Sequence, residues 1–248
     1  VKHGSLICYS GPKNGQSCFD DTDCGARARD IALVTSSQTA DNDTTWTRNV
    51  TLTSTGSRRL FIATAALEHN VANLGVVSGM KLNGVAMTLA TSSIATANNN
   101  WVRAYVFYLT NDKMPASPGT YALTATLDGN NGGGAYSAIE LDEVDQTTPI
   151  EQTATGANNG NAGTISTNIT TQTNGAWVLD VVVSGSENTT FTATGGQTRL
   201  LNSDPNSSQV SVGVKSVATA GSTAMSWNIS SPNRTAQAVV AIRPASIH

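Results

Sequence analysis

Three cysteines and three aspartates crowd the first 24 residues: Cys8, Cys18 and Cys24, with Asp20, Asp21 and Asp23 between the last two. Three thiolates are one short of the four ligands a structural zinc takes, and the nearest imidazole, His3, precedes the cluster. A segment this poor in apolar residues is better held by a disulfide, which leaves one sulfur free or available to another chain. The aspartates alternate as hard oxygen ligands for calcium do, without the glycine and distal glutamate of a complete loop. The other dense carboxylate string is Glu140-Leu141-Asp142-Glu143-Val144-Asp145. Strand alternation puts Glu140 and Asp142 on one face, and Leu141 and Glu143 on the other. Their expected role is to carry charge outward and discourage edge pairing. Two of the three histidines (His3, His69, His248) sit at the termini, and no Gly-x-Ser-x-Gly elbow occurs. Gly132-Gly133-Gly134 is followed by neither helix nor lysine and reads as a flexible turn rather than a phosphate cradle. No residue is assigned a catalytic role, and calcium is the one cofactor the residues suggest.

The elements that must carry these residues are strands. Tyr121, Leu123, Ala125 and Leu127 alternate with Ala122, Thr124, Thr126 and Asp128, the period of a half-buried strand. Met225, Trp227 and Ile229 alternate in the same way. Asn83-Gly84 between apolar flanks predicts a type I′ hairpin. Ala-rich Ile62–Leu74 competes as a helix, but its match to the Val-rich Trp177–Ser184 favours strand through Leu67.

That match belongs to a larger one. Residues 48–67 (RNVTLTSTGSRRLFIATAAL) correspond to residues 167–185 (TNITTQTNGAWVLDVVVSG). In the same order, Trp101–Leu109 corresponds to Gln209–Val217, Gly119–Leu127 to Gly221–Ile229, and Tyr136–Val144 to Thr235–Pro244. Halves of this length are too long for solenoid repeats and too few for a propeller. The expected fold is all-β: one two-sheet antiparallel jelly-roll sandwich with pseudo-twofold halves and about twelve strands. Residues 1–45 form a Cys-containing N-terminal arm with one strand, Asp30–Thr35, and residues 46–245 form the sandwich. Its halves run over about 46–145 and 164–245, joined by a polar connector. The inner face is expected to hold Leu60, Ile62, Val106, Leu123, Leu127, Val181, Val212, Trp227 and Val240.

Composition narrows the function. Only 12% of residues are charged, and the net charge is −3. No basic field exists to concentrate nucleic acid or anionic lipid. No run approaches the roughly 20 apolar residues of a membrane span. The N-terminus lacks the apolar core of a signal peptide, and the confinement of cysteine to the first 24 residues predicts a mature secreted or cell-surface chain.

The segments MKLNGVAMTL, VRAYVFYL, PASPGTYALTATL and EVDQTTPI resemble a concanavalin A/laminin-G-like jelly-roll module of secreted bacterial and some phage structural proteins. That resemblance implies a sandwich over residues 46–245 and no established activity. CYSGPKNGQSCFDDTDCG resembles short Cys-rich segments of secreted bacterial proteins, which carry a further cysteine where this chain has Gly25-Ala26-Arg27. Laminarinase-like glycoside hydrolases use a similar sandwich with a Glu-x-Asp-x-(x)-Glu strand. By that resemblance Glu140 and Asp142 take the first two places, but Asp145 stands where the second glutamate belongs. Aromatic residues are only 5% of the chain, few for a sugar cleft.

The expected function is a secreted, non-catalytic structural subunit of an extracellular filament or surface array, with copies of itself as partner. Its arm would bury Ile31, Leu33 and Val34 on a neighbouring sheet by strand addition. The competing class is a lectin-like glycan-binding module, whose signature is an exposed Trp46 or Trp101. A laminarinase-like hydrolase comes third.

Overall fold

The computed structural model describes residues 6–7, 17–18, 31–41, 45–70, 75–97, 99–129, 133–205 and 207–246, with backbone alone at 6–7, 17–18 and 34–41. A short hairpin pairs β1 (Leu6–Ile7) with β2 (Ser17–Cys18). The first half then runs β3 (Ala32–Asp41), β4 (Thr45–Leu52), β5 (Leu60–His69), β6 (Val77–Leu82), β7 (Val85–Ala86), β8 (Thr88–Ala97), β9 (Asn100–Thr110), β10 (Gly119–Leu127) and β11 (Gly133–Asp142). The second runs β12 (Ile150–Asn158), β13 (Thr164–Thr171), β14 (Ala176–Ser184), β15 (Phe191–Ala193), β16 (Thr198–Ser203), β17 (Gln209–Val217), β18 (Gly221–Ile229) and β19 (Thr235–Ile242). Helix among the described residues is one 3-10 turn, Asn111–Lys113.

Pairing is nested. In the first half the first strand pairs with the last (β3 with β11), the second with the next to last (β4 with β10), then β5 with β9 and β6 with β7. A ribbon of strands nested in this way, with β8 added on the outer side of β9, and wrapped on itself is a jelly roll. The second half repeats the scheme, with β12 on β19, β13 on β18 and β14 on β17. All ladders are antiparallel, and the expected all-β sandwich architecture is present. It occurs twice. Each half builds its own pair of sheets: β4-β10-β6-β7 over β3-β11-β5-β9-β8, and β13-β18-β15 over β12-β19-β14-β17-β16. The expectation of one two-sheet sandwich shared between the halves is corrected to two sandwiches stacked through their five-stranded sheets.

The cause lies in two strands that are apolar on both faces. All ten residues of β5 are buried, as are eight of the nine in β14. A strand with both faces covered reads as a continuous apolar run rather than an alternating one. Leu60 and Ile62 face Val181, Val212 and Val240 in a central core shared by the halves, whereas Phe61, Ala65 and Leu67 point into the first half's own sandwich with Trp46, Leu123 and Leu127. Trp227 and Val182 pack with Phe191 inside the second sandwich. Every residue expected on an inner face is buried. Across the stack β8 lies on β12 and β3 on β16. Since β3 corresponds to β12 and β8 to β16, this is one contact made twice with the halves exchanged, the mark of a pseudo-twofold axis.

Turn chemistry follows the residues. Asn83 (φ 49°) and Gly84 (φ 81°) take the two left-handed positions of the β6–β7 hairpin. Gly133 and Gly134 open β11 instead of making a flexible turn, because a Cβ on Gly134 would stand 2.8 Å from the Trp46 ring.

Candidate functional site

The cysteine and aspartate expectations at Cys8, Cys24, Asp20, Asp21 and Asp23 lie outside the described residues, and Cys18 is described only as backbone, opposite Leu6. Among the described residues no group of three or more His, Cys, Asp or Glu side chains is placed to hold a metal ion, and no helix is long and apolar enough to cross a membrane. Ile31 is buried in the central core of its own chain, Leu33 is 39% exposed, and the side chain of Val34 lies outside the described set. The strand they introduce runs Ala32–Asp41 and pairs with β11 of the same chain. Burial of these residues on a neighbour is therefore corrected for Ile31: β3 is the first strand of its own jelly roll, and the core beneath it takes the side chain.

Of the carboxylate string, Glu140 faces inward, whereas Asp142, Glu143 and Asp145 are half-buried. β11 lies between β3 and β5, and the face that carries Glu140 is covered by the β4–β5 turn, so this side chain is fully buried. Its Oε2 accepts the backbone N–H of Thr53 (2.9 Å) and Ser54 (3.3 Å), the first residues after β4, and Arg59 stands 3.9 Å from Oε1. The Ser54 hydroxyl donates to Asp142 at 2.5 Å. These carboxylates cap the β4–β5 turn. The outward placement is overturned because turn amides buried in a sandwich corner need an acceptor.

The second half meets the same need from another strand. Glu151 of β12 accepts the N–H of Gln172 (2.8 Å) and Thr173 (3.4 Å) after β13, and the Thr173 hydroxyl (2.7 Å), with Arg243 at 3.4 Å. One turn, one buried carboxylate and one arginine thus recur in both halves without positional correspondence of the acid. Between the halves, Arg234 bonds the Glu68 carboxylate in a buried ion pair.

A further buried polar group lies inside the second sandwich. Asp180, in the middle of β14, is fully buried. Its carboxylate accepts Trp227 Nε1–H (2.6 Å), Gln237 Nε2–H (2.6 Å) and Gly213 N–H (2.9 Å). Gln237 also donates to the Met225 carbonyl (3.1 Å) and accepts the Thr167 hydroxyl at 2.6 Å. Burial raises the Asp180 carboxyl to about 6, while the three donors act the other way. A Cβ at Gly213 would come within 2.6 Å of Asp180 Oδ1, so glycine is what admits the carboxylate. Sequence reasoning passed over this group. The signal was a single Asp in AWVLDVVVS and a single Gln in TAQAVVAI, each a lone polar residue with no water to meet it.

The surface divides by sheet. Outward positions of β4, β10, β13 and β18 carry Thr, Ser, Asn and Ala, with hydroxyls paired across strands at Ser166–Ser226 (2.6 Å) and Thr51–Thr120 (3.5 Å). The exposed large apolar side chains among the described residues are Leu33, Val85, Leu89 and Ile94. All four belong to β3, β7 and β8, edge strands of the first sandwich. Trp46 is fully buried, stacked on Tyr136 with centroids 5.2 Å apart, and Trp101 is half-buried opposite His69.

No family model matches this chain, and no curated protein does. Among solved structures, the crystal structure of Cucumber Necrosis Virus aligns over 77% of this chain and 79% of that one, with 8% identity and a TM-score of 0.27. Likeness at that level carries no inference about this chain.

Proposed function

We propose that this chain is a non-catalytic structural subunit of an extracellular assembly, joined to further copies of itself through the sheet edges of its first jelly roll. The carrying observation is that Leu33, Val85, Leu89 and Ile94, the exposed large apolar residues among those described, all lie on the edge strands β3, β7 and β8. A long edge strand with exposed apolar residues is a template for pairing with another chain unless charge or proline blocks it. Neither β3 nor β8 contains Lys, Arg or Pro, and Asp41 is their one acid. Each is ten residues long and ladders on one side only, β3 with β11 and β8 with β9. On β8 the Thr96 N–H is already taken by Asn159 and the Ser93 hydroxyl by the Gly156 carbonyl, which leaves part of that edge for a partner. Strand addition at such an edge draws its affinity from main-chain hydrogen bonds, and a head-to-tail arrangement that does not close gives a filament.

The carboxylates most suggestive of hydrolysis support the non-catalytic reading, since Glu140 is fully buried and occupied with turn amides. Trp46, fully buried, is lost as a sugar-stacking platform. The extracellular setting rests on the confinement of cysteine to the first 24 residues and on the sparse charge.

Electron microscopy and light scattering of the purified chain test the reading, beside a Leu89→Lys/Ile94→Lys variant. Filaments or large particles from the parent chain, and monomers of unchanged circular dichroism from the variant, are expected. A parent chain that stays monomeric at high concentration overturns self-assembly, and an unaltered assembly in the variant removes β8 as the contact. Cleavage of a β-glucan by the pure chain overturns the non-catalytic assignment.

A further inference from the structure

The buried chain Thr167–Gln237–Asp180 is arranged for a reaction as well as for packing. Thr167 lies on β13 of the outer sheet and Gln237 on β19 of the inner one, so their contact bridges the two layers of the second sandwich. Their side chains are 5% and 0% exposed, and the hydroxyl sits 2.6 Å from Gln237 Oε1. Nothing lets the carboxamide turn away. Its oxygen is held by Thr167, and its nitrogen by Asp180 Oδ2 at 2.6 Å and the Met225 carbonyl at 3.1 Å. Close approach is enforced from the third side as well. Gly156 on β12 faces Gln237 in register, and a Cβ there would overlap the Thr167 hydroxyl. A hydroxyl, a carboxamide and a carboxyl on its nitrogen are the parts of an acyl transfer, held at fixed separation in a site closed to bulk solvent.

We propose that Thr167 and Gln237 form an intramolecular ester, the threonine oxygen displacing ammonia from the glutamine carboxamide with Asp180 as proton donor to the nitrogen. Thr167 Oγ1 forms a bond to Gln237 Cδ while its proton passes to Oε1, the atom it already bonds. The Asp180 carboxylic acid gives its proton to Nε2, the Cδ–Nε2 bond breaks, and the nitrogen departs as ammonia. The Asp180 carboxylate then recovers the proton from the collapsing intermediate, which restores the carbonyl. One C–O bond replaces one C–N bond, no electrons are exchanged with an outside reagent, and Asp180 is regenerated. Its raised titration supplies acid close to neutral pH, where an ordinary aspartate holds almost none. Burial also protects the product, because hydrolysis needs a water at Cδ. In the interior of the first sandwich Trp46 and Tyr136 stack instead.

An ester here ties the outer sheet to the inner one across 70 residues of sequence. A covalent tie across so long a loop restrains the unfolded chain and resists shearing of the two layers. Intact mass and a peptide map of the purified full-length chain test the proposal. The expected product is a chain lighter by one ammonia, with a branched peptide joining Thr167 to Gln237 that hydroxylamine cleaves. Thr167→Ala should restore the full mass, Thr167→Ser should keep the loss, and Asp180→Asn should slow its appearance. A parent chain of full mass whose map yields both residues on separate, unmodified peptides overturns the proposal, as does an ammonia loss located at any other residue. The parent map decides by itself, so the test stands even where a variant fails to fold.

Discussion

Asp180 shows how a single polar residue in an apolar strand is accommodated. Three donors surround it, each of which would be left unpaired by an apolar replacement. Asp180→Leu is therefore expected to cost about 3–5 kcal/mol, at about 1–3 kcal/mol per stranded donor less the gain in apolar burial. The same carboxyl gives stability a pH dependence whose sign can be worked out. Its folded titration lies near 6, above the ordinary 3.8, so the native state holds the proton more tightly than the unfolded chain. Its contribution is present in full below about pH 4, is lost as pH rises to about 6, and is constant beyond; the whole change is about 3 kcal/mol. Burial causes the shift whether or not Gln237 keeps its nitrogen. Denaturant unfolding of the parent chain and of Asp180→Asn at pH 4 and pH 7 checks this. The difference between the two proteins should move against the parent by that amount as pH rises, and a pH-independent difference would show that Asp180 titrates normally.

Elements in this molecule are of two kinds. β10 and β18 share one alternating exposure pattern, with Leu123, Ala125 and Leu127 inside in one and Met225, Trp227 and Ile229 in the other. β5 has no outside. One of its faces lines the central core through Ile62 and Ala66, and the other lines the first sandwich through Ala65 and Leu67. Neighbouring residues of β5 should thus respond alike to a charge, and those of β10 should differ. Ala65→Glu and Ala66→Glu are each expected to remove at least about 3 kcal/mol, the cost of an unpaired buried carboxylate. Thr126→Glu, on the open face of β10, should change stability by no more than about 0.5 kcal/mol. Urea midpoints of the three variants check the pattern, and tolerance at either β5 position would mean that one of its faces is uncovered.

At the scale of the whole molecule the halves are two jelly rolls by connectivity and one body by burial. Their five-stranded sheets meet over Leu60, Ile62 and Val106 from one side and Val181, Val212 and Val240 from the other, with Glu68 and Arg234 paired at the margin. Each five-stranded sheet turns an apolar face to this shared core, and that face would meet water if its partner were removed. A chain of residues 146–248 alone is expected to aggregate or bind hydrophobic dye, and the full chain to unfold in one calorimetric transition. A soluble, cooperatively folding half would show that the central core is dispensable. With inner faces joined and outer faces lined by short polar side chains, the exposed large apolar side chains among the described residues lie along β3, β7 and β8, which is the surface the proposed assembly would use.

Strand class, the Asn83-Gly84 hairpin, the correspondence of the halves and the buried set from Leu60 to Val240 were all legible in the residues. Each depends on period two, on turn chemistry, or on self-similarity, which are local properties of the chain. The sheet count was decided by tertiary structure. An apolar run such as Leu60–Leu67 reports that both faces of a strand are covered, but not what covers them, and pairing within one sandwich or stacking between two satisfies the run equally. Direction was the other such matter. Glu140 and Asp142 share a face by alternation, yet only the position of β11 between β3 and β5, with the β4–β5 turn above it, sends that face inward to meet unpaired amides. Thr167 and Asp180 stand on consecutive strands of different sheets and Gln237 on a third strand far along the chain, and no spacing rule reaches across such a gap. Their meeting is set by the packing of β13 and β18 over β14 and β19, where polar side chains shut away from water must find one another.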